Sequence, residues 1–334
     1  MKDINNKKVL ITGGAGFLGG HIAEALLQRS NYVILIDNFN SETTPSIEKE
    51  KTIKYFLEKY SSDQLSLYRE DIRNQEQISK IIHQDKPQVV IHTAALAMDR
   101  ASMTKSLDFI DVNIKGTQIL INAIESATCV EQIIFISTRS AVGETPKPDS
   151  LMSENEHFRP INPYGATKAA CESLFHSFSF NNKIPVKICR MQPIYGPRCR
   201  HDMFVWRILN SIITGNKIQK YGKGNAIRDW LYIDDAVDAI LEIINTQMDF
   251  DILNIGTGKS VTTNQLIDIC EKVSGRTANI ENVSAVAGDA IYAGIADCKK
   301  IKKLLGWEAK INLEDGIEKT YEYMLKKFEE NKQY

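Results

Sequence analysis

No two of the six cysteines form a CxxC pair; Cys129, Cys171, Cys189, Cys199, Cys270 and Cys298 are scattered through 334 residues. Zinc sites need close, paired ligands, so this spacing argues against a metal and for a reducing compartment. No block of basic residues marks a nucleic-acid surface, and the net charge is −1. No run approaches the roughly 20 apolar residues of a membrane span. The polar stretch Met1 to Lys8 leads straight into a strand and does not read as a signal peptide. The expectation is a cytoplasmic protein without metal, membrane or nucleic-acid partner. Internal repeats, low-complexity tracts and long linkers are also missing.

Short apolar runs fill the first half instead. Lys8–Thr12, Tyr32–Asp37, Leu65–Glu70, Gln88–Thr93, Glu131–Thr138 and Val186–Met191 read as strands rich in Val, Ile and Leu. Such runs fit parallel strands covered on both faces. Helical stretches lie between them, at His21–Arg29, Gln75–His83 and Asn113–Ala127. The alternation predicts an α/β fold with a doubly wound parallel sheet. Beyond Met191 the pattern loosens. Asp229–Ile233 reads as a short strand, and Phe204–Thr214, Asp234–Ile244, Thr263–Val273 and Leu313–Lys327 read as helices. The expected division is a dinucleotide-binding domain over 1–190 and a smaller α/β substrate domain over 191–334, with some chain returning to the first.

Val9 to Gly19 reads strand, glycine-rich turn, helix start, with glycines at 13, 16 and 19. Gly13 permits the tight turn, Gly16 lets backbone approach a pyrophosphate, and Gly19 lets helix pack on strand. The helix N-terminus offers free N–H groups to the phosphates. Alone, this is also the look of an ordinary βα turn. The context favours a Rossmann-type site, because the second strand ends in Asp37. An acid there accepts both ribose hydroxyls of NAD and repels the 2′-phosphate of NADP. Asn38 and Asn40 add neutral polar groups beside it.

Tyr164-Gly165-Ala166-Thr167-Lys168 has YxxxK spacing, which brings a phenol and an ammonium to one helix face. A nearby cation, with the positive nicotinamide, stabilises phenolate and suits Tyr164 to act as a base. Pro163 fits the first turn of that helix. Ser137 and Thr138 end the preceding strand at the carboxyl edge of the sheet, where ligands of α/β folds bind. The plain alternative is a surface Tyr and Lys on an ordinary helix.

Taken in order, these motifs resemble the extended short-chain dehydrogenase/reductases, specifically the NAD-dependent sugar-nucleotide epimerase/dehydratase family. Other shared motifs are Asp37-Asn38-Phe39-Asn40, Glu70-Asp71-Ile72, His92-Thr93-Ala94-Ala95 and Asn113-Ile114-Lys115-Gly116-Thr117. Tyr195-Gly196-Pro197-Arg198, Arg228-Asp229-Trp230 and Leu305-Gly306-Trp307 follow, so the likeness covers about Lys8 to Tyr323. It implies Gly13, Gly16, Phe17, Leu18, Asp37, Asn38, Asn40, Ala94, Ala95 and Ser137 around NAD. It also implies Asp71 and Ile72 at adenine and Asn113 behind the cofactor. Thr138, Tyr164 and Lys168 would form the catalytic set, and Arg228 would meet the diphosphate of a nucleotide sugar.

Three positions depart from the family pattern. Pro193 stands where an Asn is usual, Val286 where an Arg is usual, and Val142 where a Tyr is usual. The acid pair that follows the Thr in the family's 4,6-dehydratases is replaced by Arg139-Ser140. The resemblance therefore implies a 4-epimerase, with tightly bound NAD returning hydride to the opposite sugar face. A net oxidoreductase such as a 4-keto reductase, a dehydratase and a non-catalytic NAD-binding protein stay open as alternatives. Arg139 is expected to pair with a surface acid, with a sugar carboxylate as the other option. A homodimer through Asn113–Ala127 and Tyr164–Phe180 is also implied.

Overall fold

The computed structural model describes residues 5–147, 150–285 and 290–332. Seven strands form its central sheet: β1 (Lys8–Thr12), β2 (Tyr32–Ile36), β3 (Leu65–Tyr68), β4 (Val89–His92), β5 (Gln132–Thr138), β6 (Val186–Met191) and β7 (Phe250–Ile255). The spatial order is β7-β6-β5-β4-β1-β2-β3, every pair parallel. Side chains alternate between two apolar layers. Val9 and Ile11 join one buried cluster with Ile22 and Ile240, while Leu10 joins the other with Ile78, Leu120 and Phe175. Burial on both faces is why these strands read as unbroken apolar runs.

The chain winds outward from β1 to β3, then crosses back so that β4 lies beside β1. The crossing opens a crevice at the carboxyl ends of β1 and β4, where doubly wound folds bind ligands. Helix α1 (Phe17–Leu27) starts four residues before the expected His21, because the glycine turn passes directly into it. Helices α2 (Ser46–Lys59), α3 (Gln75–Asp85), α4 (Gly116–Glu125) and α5 (Pro163–Asn182) follow. The expected Asn113–Ala127 helix is divided, with a widened π turn over Ile110–Lys115 before α4.

After β6 come α6 (Phe204–Thr214), α7 (Ile233–Ile244), α8 (Thr263–Ser274), α9 (Lys299–Leu305) and α10 (Leu313–Lys332). The expected strand at Asp229–Ile233 shrinks to Leu231–Tyr232, because α7 already begins at Ile233. Helices α6, α8 and α10 pack together, beside a parallel pair of strands at Ile218–Tyr221 and Ile280–Val283. Asp229 ties this half to the sheet. Its buried carboxylate accepts from the backbone N–H groups of Thr257, Gly258 and Ala296.

One buried ion pair locks α5 to the sheet. Glu172 on α5 and Arg190 on β6 are each 2% exposed and lie 2.8 Å apart. Ser137 at the end of β5 donates to the same carboxylate at 2.5 Å. Replacing Glu172 with Ala leaves a guanidinium buried without its counter-charge, which costs about 3–5 kcal/mol. Denaturant unfolding of Glu172→Ala is expected to show a loss of that size. A loss under about 1 kcal/mol would show that the pair is not holding α5.

Candidate active site

The glycine turn is built by exclusion of side chains. Gly13 has φ of +71°, and a Cβ on it would press into the backbone of Ala94 at 2.9 Å. A Cβ on Gly19 would run into the Gly13 carbonyl oxygen. Behind the turn, Thr12 Oγ1 bonds the His92 ring at 2.7 Å and accepts from Ala94 N–H at 3.3 Å. The other His92 nitrogen meets Thr117 Oγ1 at 3.0 Å. Burial pushes the His92 imidazole down to about 3, so it is a neutral strut under the turn. In the sequence His92 stands out only as part of a family motif, since a buried strut has no spacing signal.

The residues Gly13, Gly16, Phe17, Leu18, Asp37, Asn38, Asn40, Asp71, Ile72, Ala94 and Ala95 line one cleft of about 330 Å³. Ser137, Thr138, Arg139, Tyr164 and Lys168 line the same cleft. Asp37, 4% exposed, accepts from the N–H groups of Ala15 at 3.1 Å and Phe39 at 2.7 Å. It is not alone: the Lys49 ammonium of α2 sits 3.1 Å from Asp37 Oδ1, and Lys49 is 6% exposed. Lys49 therefore counters the repulsion of a 2′-phosphate expected from Asp37 alone. Across the cleft, Asn38 donates to Asp71 at 2.8 Å. The Arg73 guanidinium beside Asp71 holds its carboxyl down to about 2.

Tyr164 is placed by the cap of α5. Asn162 Oδ1 accepts from Gly165 N–H at 2.8 Å, and Pro163 occupies the first turn. Gly165 also allows a close approach, because a Cβ there would strike the Ser140 carbonyl. The helix start is thus pressed against the turn after β5, and Tyr164 and Thr138 line the same cleft. Burial pushes the phenol up to about 12 and Asp99 adds to the rise, while Arg200, Thr138 and Arg139 pull it down. Lys168 lies one turn further on, its ammonium 4.1 Å from the Phe135 ring centroid. Burial lowers its pKa to about 8.

Two expected residues stand outside the cleft. Asn113 is consumed by structure, exchanging hydrogen bonds with both Leu96 backbone groups and donating to Thr167. It pins the Ala94–Ala97 segment rather than reaching the cofactor side. Arg228 pairs in a short ladder with Val261 and is not a cleft residue. Its neighbour Asp229 bonds backbone amides. Val286 lies outside the described residues. Arg139 corrects an expectation: it is 6% exposed, and its acid is Asp99 of the same cleft at 3.6 Å, not a surface residue. Lys49, Asp99, Gln192 and Arg200 line the cleft without having been singled out from sequence.

The donor and acceptor set fits a dinucleotide. A cradle that a Cβ would fill faces the phosphates, and buried Asp37 stands ready for the ribose hydroxyls. Replacing Asp37 with Ala is expected to weaken NAD binding by roughly ten-fold or more, since hydrogen bonds to a charged group are lost. It is also expected to destabilise the chain by leaving Lys49 buried without a counter-charge. Adding Lys49→Met should recover the stability and not the affinity. Calorimetric binding and thermal unfolding of the two variants check this; recovered affinity in the double variant would contradict it.

Comparison with known proteins agrees with this geometry. The model of the "NAD dependent epimerase/dehydratase family" matches residues 9–256. UDP-glucuronate 4-epimerase of Thermodesulfobacterium geofontis is 31% identical over 93% of this chain and 94% of its own. The structure of UDP-glucuronic acid 4-epimerase from Bacillus cereus, with UDP-glucuronic acid and NAD, is 33% identical. It superposes with a TM-score of 0.88 over 96% of this chain and 99% of that one. UDP-glucose 4-epimerase of Thermotoga maritima, with UDP-glucose, is 30% identical with a TM-score of 0.86 over 96% and 99%. The chain belongs to the NAD-dependent epimerase/dehydratase family and is an enzyme that uses NAD.

Proposed function

We propose that the protein is an NAD-dependent nucleotide-sugar 4-epimerase. The observation that carries this is that Thr138 and Tyr164 line the cleft of the glycine turn together, with Arg139-Ser140 after Thr138 instead of two acids. Elimination needs an acid and a base after the Thr, and neither Arg139 nor Ser140 is a carboxylate. The named relatives above act on, or are bound to, UDP-sugars, which supports a nucleotide sugar as substrate here.

NAD, when bound, would supply a hydride acceptor and donor at sugar C4. The chain's residues handle the proton. The Tyr164 phenolate takes it from the C4 hydroxyl, and the phenol so formed returns it at the end. Thr138 holds the phenol and the sugar oxygen in line. Arg139 and Arg200 favour the phenolate against the burial that opposes it. Lys168, beneath the cleft and 3% exposed, adds positive charge on the cofactor side. For Arg228, which stands outside the cleft, the diphosphate role rests on the family resemblance alone, and it suits a guanidinium.

Incubation with UDP-, GDP-, CDP- and dTDP-sugars without added cofactor, read by chromatography and NMR, tests the reading. A C4-inverted product of unchanged mass is expected. A product lighter by water or carbon dioxide, or turnover only with added NADH, would contradict it. Tyr164→Phe is expected to lower kcat by about 10²–10⁴ while bound NAD is retained; normal turnover would remove Tyr164 as the base.

The same reading includes a homodimer through the Asn113–Ala127 and Tyr164–Phe180 segments. Leu107 and Ile110, just before the first, are 77% and 46% exposed, and Phe180 on the second is 68% exposed. Burial against a second copy would remove these side chains from water. Light scattering should give twice the chain mass, reduced by Leu107→Glu. A monomeric mass for the unaltered protein would refute the dimer.

A further inference from the structure

The sugar end of the cleft is unusual in how its charges are arranged. Two guanidinium groups, Arg139 and Arg200, act on Tyr164. Each already carries a carboxylate. Arg139 Nη2 is 3.6 Å from Asp99 Oδ2, and Arg139 Nη1 donates to the Ala293 carbonyl at 3.4 Å. Arg200 grips Asp202 with two bonds of 2.9 and 2.6 Å, and also donates to the Ala97 carbonyl. The cations that would welcome an anionic sugar are thus each already paired with a carboxylate inside the site.

Acceptors, by contrast, are left over. Asp99 Oδ1 and Gln192 Oε1 are buried and have no hydrogen-bond partner among the described residues. Both side chains line the cleft, and Gln192 is only 3% exposed. A buried acceptor without a donor costs about 1–3 kcal/mol, so such atoms are normally matched by a ligand or water. A hydroxyl or amide N–H satisfies them. A sugar carboxylate brings no donor, and it would set a second negative charge near Asp99 in a partly desolvated place.

We propose that the Asp99–Arg139 pair, with Gln192, selects a neutral sugar rich in hydroxyl or amide N–H donors and turns away a uronate. This rests on the nucleotide-sugar reading of the cleft, and it separates this chain from its uronate-named relatives. Asp99 is a specificity residue here: its carboxylate accepts from the sugar and keeps Arg139 occupied. Release of Arg139 toward a uronate would strip Asp99 of its counter-ion and Ala293 of a donor.

The test uses the NAD-loaded enzyme, unaltered and as Asp99→Asn, with UDP-glucose, UDP-N-acetylglucosamine and UDP-glucuronate. Calorimetry gives each Kd, and NMR of the same mixtures reports inversion at C4. The unaltered enzyme is expected to bind a neutral sugar roughly ten-fold or more tighter than UDP-glucuronate, the worth of one good hydrogen bond to a charged group. Asp99→Asn is expected to narrow that ratio roughly ten-fold, by weakening the neutral sugar and freeing Arg139 for the uronate. Equal or tighter binding of UDP-glucuronate by the unaltered enzyme would overturn the proposal. An unchanged ratio in folded Asp99→Asn would overturn it as well. The expected affinity order without C4 inversion of any sugar would instead sink the 4-epimerase reading, and would leave the selectivity of the pocket standing.

Discussion

The close approach of α1 to the end of β1 is the constraint on which the site depends. Gly19 must pass over the Gly13 carbonyl with no side chain between them. Only then can the N-terminus of α1 point along the crevice between β1 and β4, where its free N–H groups meet phosphate. The turn is held from beneath by Thr12 and His92, and the same Thr12 fixes Ala94 on the opposite lip. The cleft continues from this turn along the sheet edge to the end of β5. There Thr138 and Tyr164 wait, positioned by a second close approach, Gly165 against Ser140. Two glycine contacts thus fix both ends of one cleft.

In and around that cleft, charges come in pairs. Asp37 is matched by Lys49, Arg139 by Asp99, Arg200 by Asp202 and Glu172 by Arg190. Pairing lets ionised groups stand in a partly dry site without a large penalty. Lys168 differs from these paired cations. Its ammonium rests on the Phe135 ring, and its lowered pKa of about 8 follows from burial.

Much of this was legible in the sequence, for physical reasons. Unbroken apolar runs announced the parallel strands, and the glycine spacing together with Asp37 announced the cofactor. YxxxK marked Tyr164 and Lys168 because both stand on one helix. Residues that act singly from loops gave no such signal. Asp99, Gln192 and Arg200 come to line one cleft with Tyr164 only when the segments after β4 and β6 meet at the sheet edge. Helix α2 was hidden because few of its residues are buried, and one of those is the charged Lys49. Strand β7 was masked by Asp251 and Asn254, which interrupt its apolar pattern. Their polar groups are met by Lys300 and by the Met152 carbonyl. Asn113, expected behind the cofactor, lies behind the cleft and holds the Leu96 backbone and Thr167.

The central claim is that one bound cofactor takes hydride from C4 and gives it back to the same carbon. A nucleotide sugar labelled with deuterium at C4, incubated with the enzyme and excess unlabelled NADH, examines that step alone. The account predicts an inverted product that keeps the label at C4, read by NMR and mass spectrometry. Loss of the label to the free NADH pool would contradict it, because hydride would then have left the site between the two half-reactions.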